Sequence, residues 1–396
     1  MESDIRSLLV IMAIAAVVPL IVGILRLKVA EVVLLLGFGI VLGPQVAGWI
    51  SVESSIDLLS ELGLGMLFFL AGLELEQRAI RGQSGKLAAI GWFVSLTLAL
   101  IAALIIVETE NGHGVVGIAI AMTSTALGTL LPMVRDRGEL NSRFGTFFMG
   151  AGAWGEFGPI IAISILLGTK SSFAAMVSLV VFAVVAMILA VLPSRLAGDR
   201  IREILERGHA TSSQTALRVT ILLLVLLLGL AGSFGLDVVL GAFIAGVIVR
   251  RFSPPAEESR LQVRIEAIGF GFLIPLFFVV SGANMDVDSI VANPRPMLVF
   301  FVLLLIVRGV PQWFIYRKAI PDVRERTRFA LYAATALPII VAVTTIQVQN
   351  GVMTSSGAAS LVGAGALTVL VFPLVGNALT ARRSPSVDQE RAENTA

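Results

Sequence analysis

The chain has 396 residues, of which 57% are hydrophobic and only 14% are charged, with a formal net charge of +2. A soluble domain carries about a quarter charged residues, so this composition argues against an ordinary soluble protein and predicts an all-α polytopic membrane protein. The absence of cysteine excludes disulfides, thiolate catalysis and cysteine metal sites. His113 and His209 lie in predicted loops, with no second histidine or acidic cluster beside them. We therefore expect no enzyme, no cofactor and no nucleic-acid partner.

Apolar segments along the chain predict thirteen transmembrane spans. The first follows Glu2 and Asp4 rather than a basic region, so we interpret it as a retained helix and not as a removed signal peptide. The predicted spans cover about residues 7–25, 30–47, 57–75, 87–107, 115–134, 144–168, 173–193, 217–234, 236–249, 265–282, 297–316, 329–347 and 354–379.

Lysine and arginine concentrate in the loops that follow the odd-numbered spans, whereas the loops between them hold only Lys170 and Arg295. The positive-inside rule then places the N-terminus outside and the C-terminus in the cytoplasm, as in a multi-pass protein of the inner (plasma) membrane. An odd number of spans is required for that orientation, and thirteen fits. Residues 381–396 are polar, and we expect a disordered cytoplasmic tail there.

One charge interrupts the apolar run 144–168, and that charge is Glu156. Glu156 lies twelve positions from either end of the run, which at 1.5 Å per residue is about 18 Å from each edge. An ionised side chain near the bilayer midplane costs at least ~2.5 kcal/mol. We therefore predict that Glu156 binds an ion or a proton, and a carboxyl group that only locks the fold stays as the alternative.

Two predicted spans contain interruptions near the middle. The fifth holds Thr123, Ser124 and Thr125, followed by Pro132, and the twelfth holds Pro338. Proline removes a backbone donor, and membrane proteins tolerate such breaks where the backbone lines a cavity. We therefore expect broken helices in spans 5 and 12.

A sequence repeat relates the two halves of the chain. LFFLAGLE at 67–74 in the third span resembles LFFVVSG at 276–282 in the tenth, about 209 residues later. Seven spans separate the copies, and an odd separation inverts the orientation, so we predict an inverted-topology repeat of spans 1–6 and 8–13. The same offset carries the break at 123–125 to about 332–334, shortly before Pro338. Interrupted helices at matching positions of inverted halves indicate a transporter binding site at the midplane.

Arg308 is a second charge deep in a span, at about the depth of Glu156. Because each charge would offset the desolvation cost of the other, we predict a structural Glu156–Arg308 ion pair. An ionised Glu156 offers hard oxygen ligands to an alkali cation, and the hydroxyls of Thr123, Ser124 and Thr125 would complete the shell. A protonated Glu156 needs no cation. A site that crosses the membrane only when filled would therefore exchange a cation for a proton.

Several motifs resemble the membrane domain of the monovalent cation:proton antiporter superfamily, in the branch of bacterial sodium/proton antiporters and glutathione-gated potassium efflux systems. The resemblance covers roughly residues 8–380. The motifs are GIVLGP at 39–44, LGLGMLFFLAGLE at 62–74, TSTA at 123–126, RGELNSRFG at 137–145 and LGAFIAG at 240–246.

The resemblance implies a homodimer of thirteen-helix subunits in the lipid bilayer, with elevator-type alternating access. It places a membrane antiporter domain at 1–380. Within this domain the resemblance implies a scaffold and dimer part at about 5–77 and 214–290, a core transport part at about 86–168 and 297–380, and a linking helix and loop at 173–213.

In relatives, the sixth span carries a polar or acidic residue followed by aspartate, and Gly155 and Glu156 align with this pair. Arg308 stands where electrogenic relatives have a lysine. Because arginine practically cannot release a proton, we predict electroneutral exchange of one cation per proton.

The resulting hypothesis is a secondary active transporter that exchanges a monovalent cation, with Na⁺ preferred, for H⁺, and that binds an alkali cation at Glu156. K⁺/H⁺ exchange and Li⁺ as the cation stay open. The rival from another class is a gated ion pathway or sensor on the same scaffold, which could not drive a cation uphill on an imposed pH gradient.

Overall fold

The computed structural model describes residues 2–25, 30–74, 82–106, 112–166, 177, 178, 180–182, 184–186, 188, 214–234, 236, 238–252 and 255–380. These residues form helices and the turns that connect them, without a β-strand among them, as the composition predicts. The expected tail 381–396 and most of the expected linking segment 173–213 lie outside the described residues.

Seventeen α-helices have bounds within the described residues. They are α1 (Glu2–Leu25), α2 (Glu31–Leu42), α3 (Ser54–Glu74), α4 (Gly82–Ile106), α5 (Gly112–Met122), α6 (Leu127–Asp136), α7 (Arg143–Leu166), α8 (Thr215–Ser233), α9 (Val238–Phe252), α10 (Pro255–Ile268), α11 (Ile274–Ala283), α12 (Val287–Ala292), α13 (Arg295–Leu304), α14 (Val310–Ile315), α15 (Val323–Ala334), α16 (Pro338–Gln349) and α17 (Ser355–Thr380). Two π-helical turns, Gly269–Leu273 and Leu305–Gly309, join α10 to α11 and α13 to α14.

Nine helical segments within the described residues are long and apolar enough to cross a membrane, and α2 is a shorter apolar helix. Large apolar side chains on these segments face outward: Leu9, Leu104 and Leu222 are 67%, 68% and 66% exposed. Such exposure is expected where lipid rather than water surrounds the protein. The count of thirteen spans stays a prediction, and the predicted span 173–193 falls largely outside the described residues.

The helices pack as two groups. In the first group α3 packs against α9 and α11, α2 against α11, and α8 against α9. In the second group α4 packs against α5 and α7, α15 and α13 against α17, and α16 against α5 and α17. Contacts between the groups are fewer, for example between α9 and α7.

Glycine allows the closest helix approaches in the first group. A Cβ atom at Gly72 of α3 would overlap the carbonyl of Phe243 on α9, and one at Gly246 of α9 would overlap the carbonyl of Phe69 on α3. The α2–α11 crossing repeats this arrangement: Gly39 lies against the carbonyl of Val279 and Gly282 against that of Leu36. Both crossings therefore bring backbone to backbone through a reciprocal pair of glycines.

Candidate ion-binding site

Two helix interruptions meet inside the second group. Helix α5 ends at Met122 and α6 begins at Leu127, whereas α15 ends at Ala334 and α16 begins at Pro338. The first interruption hydrogen-bonds to the end of α15 and to the second interruption. Thr125 Oγ1 donates to the carbonyl of Ala333 in the last turn of α15 at 2.7 Å, and the Ala126 amide donates to the carbonyl of Thr335 at 2.7 Å. These bonds satisfy backbone groups that an interrupted helix would otherwise leave unpaired within the membrane.

The two prolines singled out in the sequence behave differently. Pro338 is the first residue of α16, where its missing N–H costs no intrahelical bond. Pro132 lies inside α6, which continues from Leu127 to Asp136. The expectation of a helix break at Pro132 is therefore wrong. The interruption lies before α6, in the Thr123–Thr125 segment.

Glu156 lies in the middle of α7 and points at the N-terminus of α6. The amides of Leu127 and Gly128 donate to Oε1 at 3.1 and 3.4 Å. Oε2 forms no hydrogen bond with the described part of the chain, and the side chain is only partly buried. Gly128 is exposed, and a Cβ built there meets nothing within 4 Å. The carboxylate is thus held by the positive end of a helix dipole, next to a residue, Gly128, that has free space around it.

The three hydroxyls of the interruption are buried and donate to backbone carbonyls. Thr123 donates to the carbonyl of Ile120 and Ser124 to that of Ala121, each at 2.7 Å. Thr125 donates across to α15 and accepts from Arg308. None of these hydroxyls donates to Glu156. Thr123 and Ser124 keep oxygen lone pairs that can accept or coordinate.

Arg308 does not form the predicted ion pair with Glu156. Its guanidinium is fully buried and donates to Thr125 Oγ1 from Nε at 3.2 Å and from Nη2 at 3.1 Å, and to the carbonyl of Ala151 at 3.0 Å. No carboxylate of the described residues lies within ion-pair distance of it. The prediction was wrong because depth along a span does not fix the direction in which a side chain points. Thr125 and Ala151 are the groups that Arg308 meets.

Gly155 has a structural reason to lack a side chain. A Cβ at this position would come within 2.6 Å of the Thr125 Cβ and 2.8 Å of Arg308 Nη2. The Thr125–Arg308 contact therefore fills the space in which a side chain at position 155 would stand.

Sequence reasoning missed two features of this region. The amides of Leu127 and Gly128 are backbone donors and carry no side-chain signal. Gln312 is fully buried one turn after Arg308, in a π-helical to α-helical stretch. The spacing of Arg308, Gln312 and Tyr316 in steps of four could have revealed a polar stripe on one helix face.

A cavity of about 460 Å³ opens between the two helix groups. Helices α3 and α11 line one side and α16 and α17 the other. Among the described residues, Asp57 and Glu61 of α3 are its charged lining residues, and no lysine or arginine of that part of the chain lines it.

The apolar helices and their packing define the class of the protein, which is a multi-pass membrane protein. Residues 12–381 match the family model described as sodium/hydrogen exchanger, transmembrane, and the chain belongs to this family. This match confirms the resemblance to cation:proton antiporters that the sequence motifs indicate. Members of the family are transporters rather than enzymes, as expected from the sequence.

Relatives of known name are similar over much of the chain. The putative Na⁺/H⁺ antiporter YjbQ of Bacillus subtilis is 22% identical over 94% of this chain and 62% of its own length. The probable Na⁺/H⁺ antiporter 3 of Methanocaldococcus jannaschii is 22% identical over 95% of this chain and 96% of its own. The Na⁺/H⁺-K⁺ antiporter GerN of Bacillus cereus is 27% identical over 69% of this chain and 68% of its own. The chain therefore spans less than two thirds of the length of the Bacillus subtilis relative.

A solved structure shares the fold. The sodium proton antiporter MjNhaP1 from Methanocaldococcus jannaschii superimposes with a TM-score of 0.66 over 94% of this chain and 98% of that one, at 17% identity.

Proposed function

We propose that this protein exchanges a monovalent cation, with Na⁺ preferred, for H⁺, and that Glu156 is the group that carries both. The observation that carries the proposal is the position of its carboxylate. Glu156 is held through Oε1 by the first amides of α6, while Oε2 forms no hydrogen bond with the described residues. Membership of the sodium/hydrogen exchanger family supports the same conclusion.

The chemistry follows from two states of one carboxylate. When ionised, Glu156 offers Oε2 to a cation, and the lone pairs of Thr123 and Ser124 stand on the adjacent interruption as further hard oxygen ligands. The third predicted ligand, Thr125, would have to exchange its contact with Arg308 for the cation, because both of its lone pairs accept from the guanidinium. When protonated, the carboxyl group of Glu156 is neutral and does not bind a cation. The cation and the proton need the same carboxylate oxygens, so they compete for Glu156. If the helices that carry Glu156 reorient only when one of the two is bound, the movement of the cation is coupled to that of the proton.

Charge counting favours electroneutral exchange. Gly155 contributes no second carboxylate, and the space for one is filled by Thr125 and Arg308. Arginine retains its proton throughout, so one Na⁺ replaces one H⁺ at Glu156. Exchange driven by membrane voltage alone would contradict this stoichiometry.

The architecture proposed for this exchange is an inverted repeat of spans 1–6 and 8–13 with broken helices in spans 5 and 12. The matching glycine crossings of α3 with α9 and α11 with α2 support it, as do the two interruptions. We assign the scaffold to about 5–77 and 214–290, the moving core to about 86–168 and 297–380, and the link to 173–213. The sparse contacts between the two helix groups are compatible with an elevator motion of the core in a plasma-membrane homodimer.

K⁺ is the second candidate cation. Its specific support is the similarity to GerN, which is named as a Na⁺/H⁺-K⁺ antiporter. A gated ion pathway or sensor on the same scaffold is the rival outside this class, and uphill transport separates it from an exchanger.

Purified protein in liposomes tests the proposal. An imposed pH gradient should drive ²²Na⁺ uphill through the wild-type protein, and competition with Li⁺ and K⁺ ranks the cations. Glu156→Gln keeps the shape of the side chain but can no longer ionise, so coupled exchange should fall to the level of empty liposomes. Glu31→Gln, at an exposed carboxylate at the start of α2, is the matched control and should behave as wild type. Wild-type exchange by Glu156→Gln would reject the assignment.

A further inference from the structure

Where α4, α7 and the helix of Arg308 meet, six side chains have buried polar atoms that find no hydrogen-bond partner among the described residues. Trp154 is one of them, although its ring is only partly buried. Ser95, Arg308, Gln312 and Tyr316 are 0% exposed, and Trp92 is 4% exposed. We call these six side chains the buried polar layer. Its unpartnered atoms are Trp92 Nε1, Ser95 Oγ, Trp154 Nε1, Arg308 Nη1, Gln312 Nε2 and Oε1, and Tyr316 Oη.

One helix supplies a polar stripe to this layer. Arg308, Gln312 and Tyr316 follow each other in steps of four and therefore share a face. The amide of Gln312 lies flat on α4, because a Cβ at Gly91 would stand 2.6 Å from Nε2 and 2.7 Å from Oε1. The ring of Tyr316 packs edge-on against Phe147 of α7, with 5.6 Å between the ring centroids.

The other two helices supply the opposite wall. The Trp92 indole of α4 lies against α7, because a Cβ at Gly158 would stand 2.6 Å from Nε1. The Trp92 and Trp154 rings are 6.2 Å apart. Ser95 follows Trp92 by one turn. The layer is thus a contiguous interface of three helices and not a set of scattered atoms.

The chemistry of these atoms indicates what they bind. Indole and guanidinium nitrogens only donate, and Oε1 of Gln312 is the layer's one atom that only accepts. Donors therefore outnumber acceptors, so the partner must offer lone pairs. Buried polar groups in a membrane interior are too costly to leave unpaired.

We propose that the buried polar layer binds internal water molecules, and that Gln312 positions Arg308 through them. Water oxygens can accept from Arg308 Nη1 and from the indole N–H groups, and water hydrogens can donate to Gln312 Oε1 and Tyr316 Oη. Water fits this layer because the unpartnered atoms include both donors and an acceptor, and a water molecule offers lone pairs as well as hydrogens. The water holds the guanidinium in the orientation that bonds Thr125 and Ala151. Hydration of the layer is independent of the proposed exchange, whereas its role in transport rests on that function.

Radiolytic hydroxyl-radical footprinting of the full-length protein tests hydration, because radicals form from water next to the labelled side chain. The chain has only two tyrosines. Both are 0% exposed, but Tyr332 Oη donates to Asn377 at 2.7 Å whereas Tyr316 Oη is unpartnered. Tyr316 should label about fivefold faster than Tyr332. Equal rates would overturn the proposal, and this comparison needs no variant.

Variants of Gln312 test the positioning role. Leu preserves the bulk and Asn preserves both amide atoms, so a water-binding role predicts that Gln312→Asn keeps more Tyr316 labelling and more exchange than Gln312→Leu does. We expect Gln312→Leu to lower both about fivefold. The reverse order would assign Gln312 to packing and overturn its role.

Two further experiments distinguish hydration of the layer from failure of the proposed exchange and from binding of an anion. Glu156→Gln should abolish exchange but leave the Tyr316 footprint unchanged, so that failure of the proposed function is seen independently. Replacing chloride by gluconate should change neither footprint nor exchange. A chloride requirement for exchange would show that an anion, and not water, occupies the layer, and would overturn the proposal.

Discussion

Arg328 and Arg308 are both buried in the second helix group, and their hydrogen-bond partners are opposite in kind. Arg328 is 2% exposed and Arg308 is 0% exposed. Arg328 on α15 forms a bidentate pair with Glu139, through Nη1 to Oε1 at 3.1 Å and through Nη2 to Oε2, and lies 4.0 Å above the Phe144 ring. Arg308 has only a hydroxyl and a carbonyl as acceptors.

This difference in partners indicates different roles: the Arg328–Glu139 pair is a structural joint between helices, whereas Arg308 belongs to the candidate ion-binding site. Glu139 also accepts from Arg137, which in turn donates to Asn377 and Thr380 near the end of α17. The Arg328 pair therefore fastens the turn before α7 to α15 and α17. Arg308 keeps its positive charge without a direct ion pair among the described residues, next to the interruption and beside Gly155, the residue before Glu156 on α7. The Arg328–Glu139 pair therefore stabilises the periphery of the second helix group, whereas Arg308, without a carboxylate partner in the described part of the chain, keeps its positive charge available at the centre of that group.

The largest effect in this comparison is expected from Arg308. Arg308→Gln removes the charge and leaves Thr125 without its guanidinium donor, so we expect exchange to fall about a hundredfold, or about 2.7 kcal/mol at 1.36 kcal/mol per tenfold. Arg308→Lys retains the charge but not the planar guanidinium, so its exchange rate should lie between those of the wild type and Arg308→Gln. Initial rates of ²²Na⁺ uptake in liposomes measure both.

The control for this experiment is Arg324→Gln, because Arg324 is exposed at the start of α15. It should leave the rate unchanged. If Arg308→Gln exchanged at the wild-type rate, the guanidinium would be a packing element, and the contrast between the two buried arginines would lose its functional meaning.

The Arg328–Glu139 pair should affect stability rather than exchange. Arg328→Met leaves Glu139 with Arg137 alone, and because the Glu139 side chain is 24% exposed we expect a loss of about 2 kcal/mol, below the range for a fully buried pair. A double-mutant cycle with Glu139→Gln should give a coupling energy of about 1–2 kcal/mol. Unfolding in detergent measures the stability, and exchange per folded molecule should be retained.

Glu325→Gln provides a matched surface control on the same helix. Glu325 is only partly buried, and its substitution should change stability by no more than about 0.5 kcal/mol. A coupling energy near zero between Arg328 and Glu139 would mean that the pair is not the joint inferred above.

The sequence predicts the centre of the candidate site but not its contacts. Glu156 is recognisable because a lone carboxylate in an apolar run has few structural explanations, and the hydroxyl cluster at 123–125 marks the interruption beside it. The second interruption, 335–337, consists of Thr335, Ala336 and Leu337 and has no comparable composition. Only Pro338 and the repeat indicate it.

The partners of Arg308 and Arg328 could not be predicted from the sequence, and the reason is physical. Helix periodicity gives depth and relative face, but the rotation of one helix against another is set by packing, such as the contact of Gly155 with Thr125 and Arg308. Glu139 and Arg328 are 189 positions apart. Charges near span ends are usually solvated, so nothing in the letters distinguishes this pair from its neighbours.

The smallest predicted effect is the pH dependence of the Arg328–Glu139 joint. Burial alone would raise the pKa of Glu139, but the hydrogen bonds and charges of Arg328 and Arg137 outweigh it and hold the pKa below the usual 4.5. A carboxyl group whose pKa is lower in the folded state contributes stability above its unfolded pKa and loses that contribution as the pH falls through its folded pKa. The stability difference between wild type and Glu139→Gln should therefore be constant from about pH 7 to about pH 5 and shrink below that. Detergent unfolding at each pH measures it, and a difference that stayed constant down to about pH 3 would show that the carboxylate charge does not hold the joint.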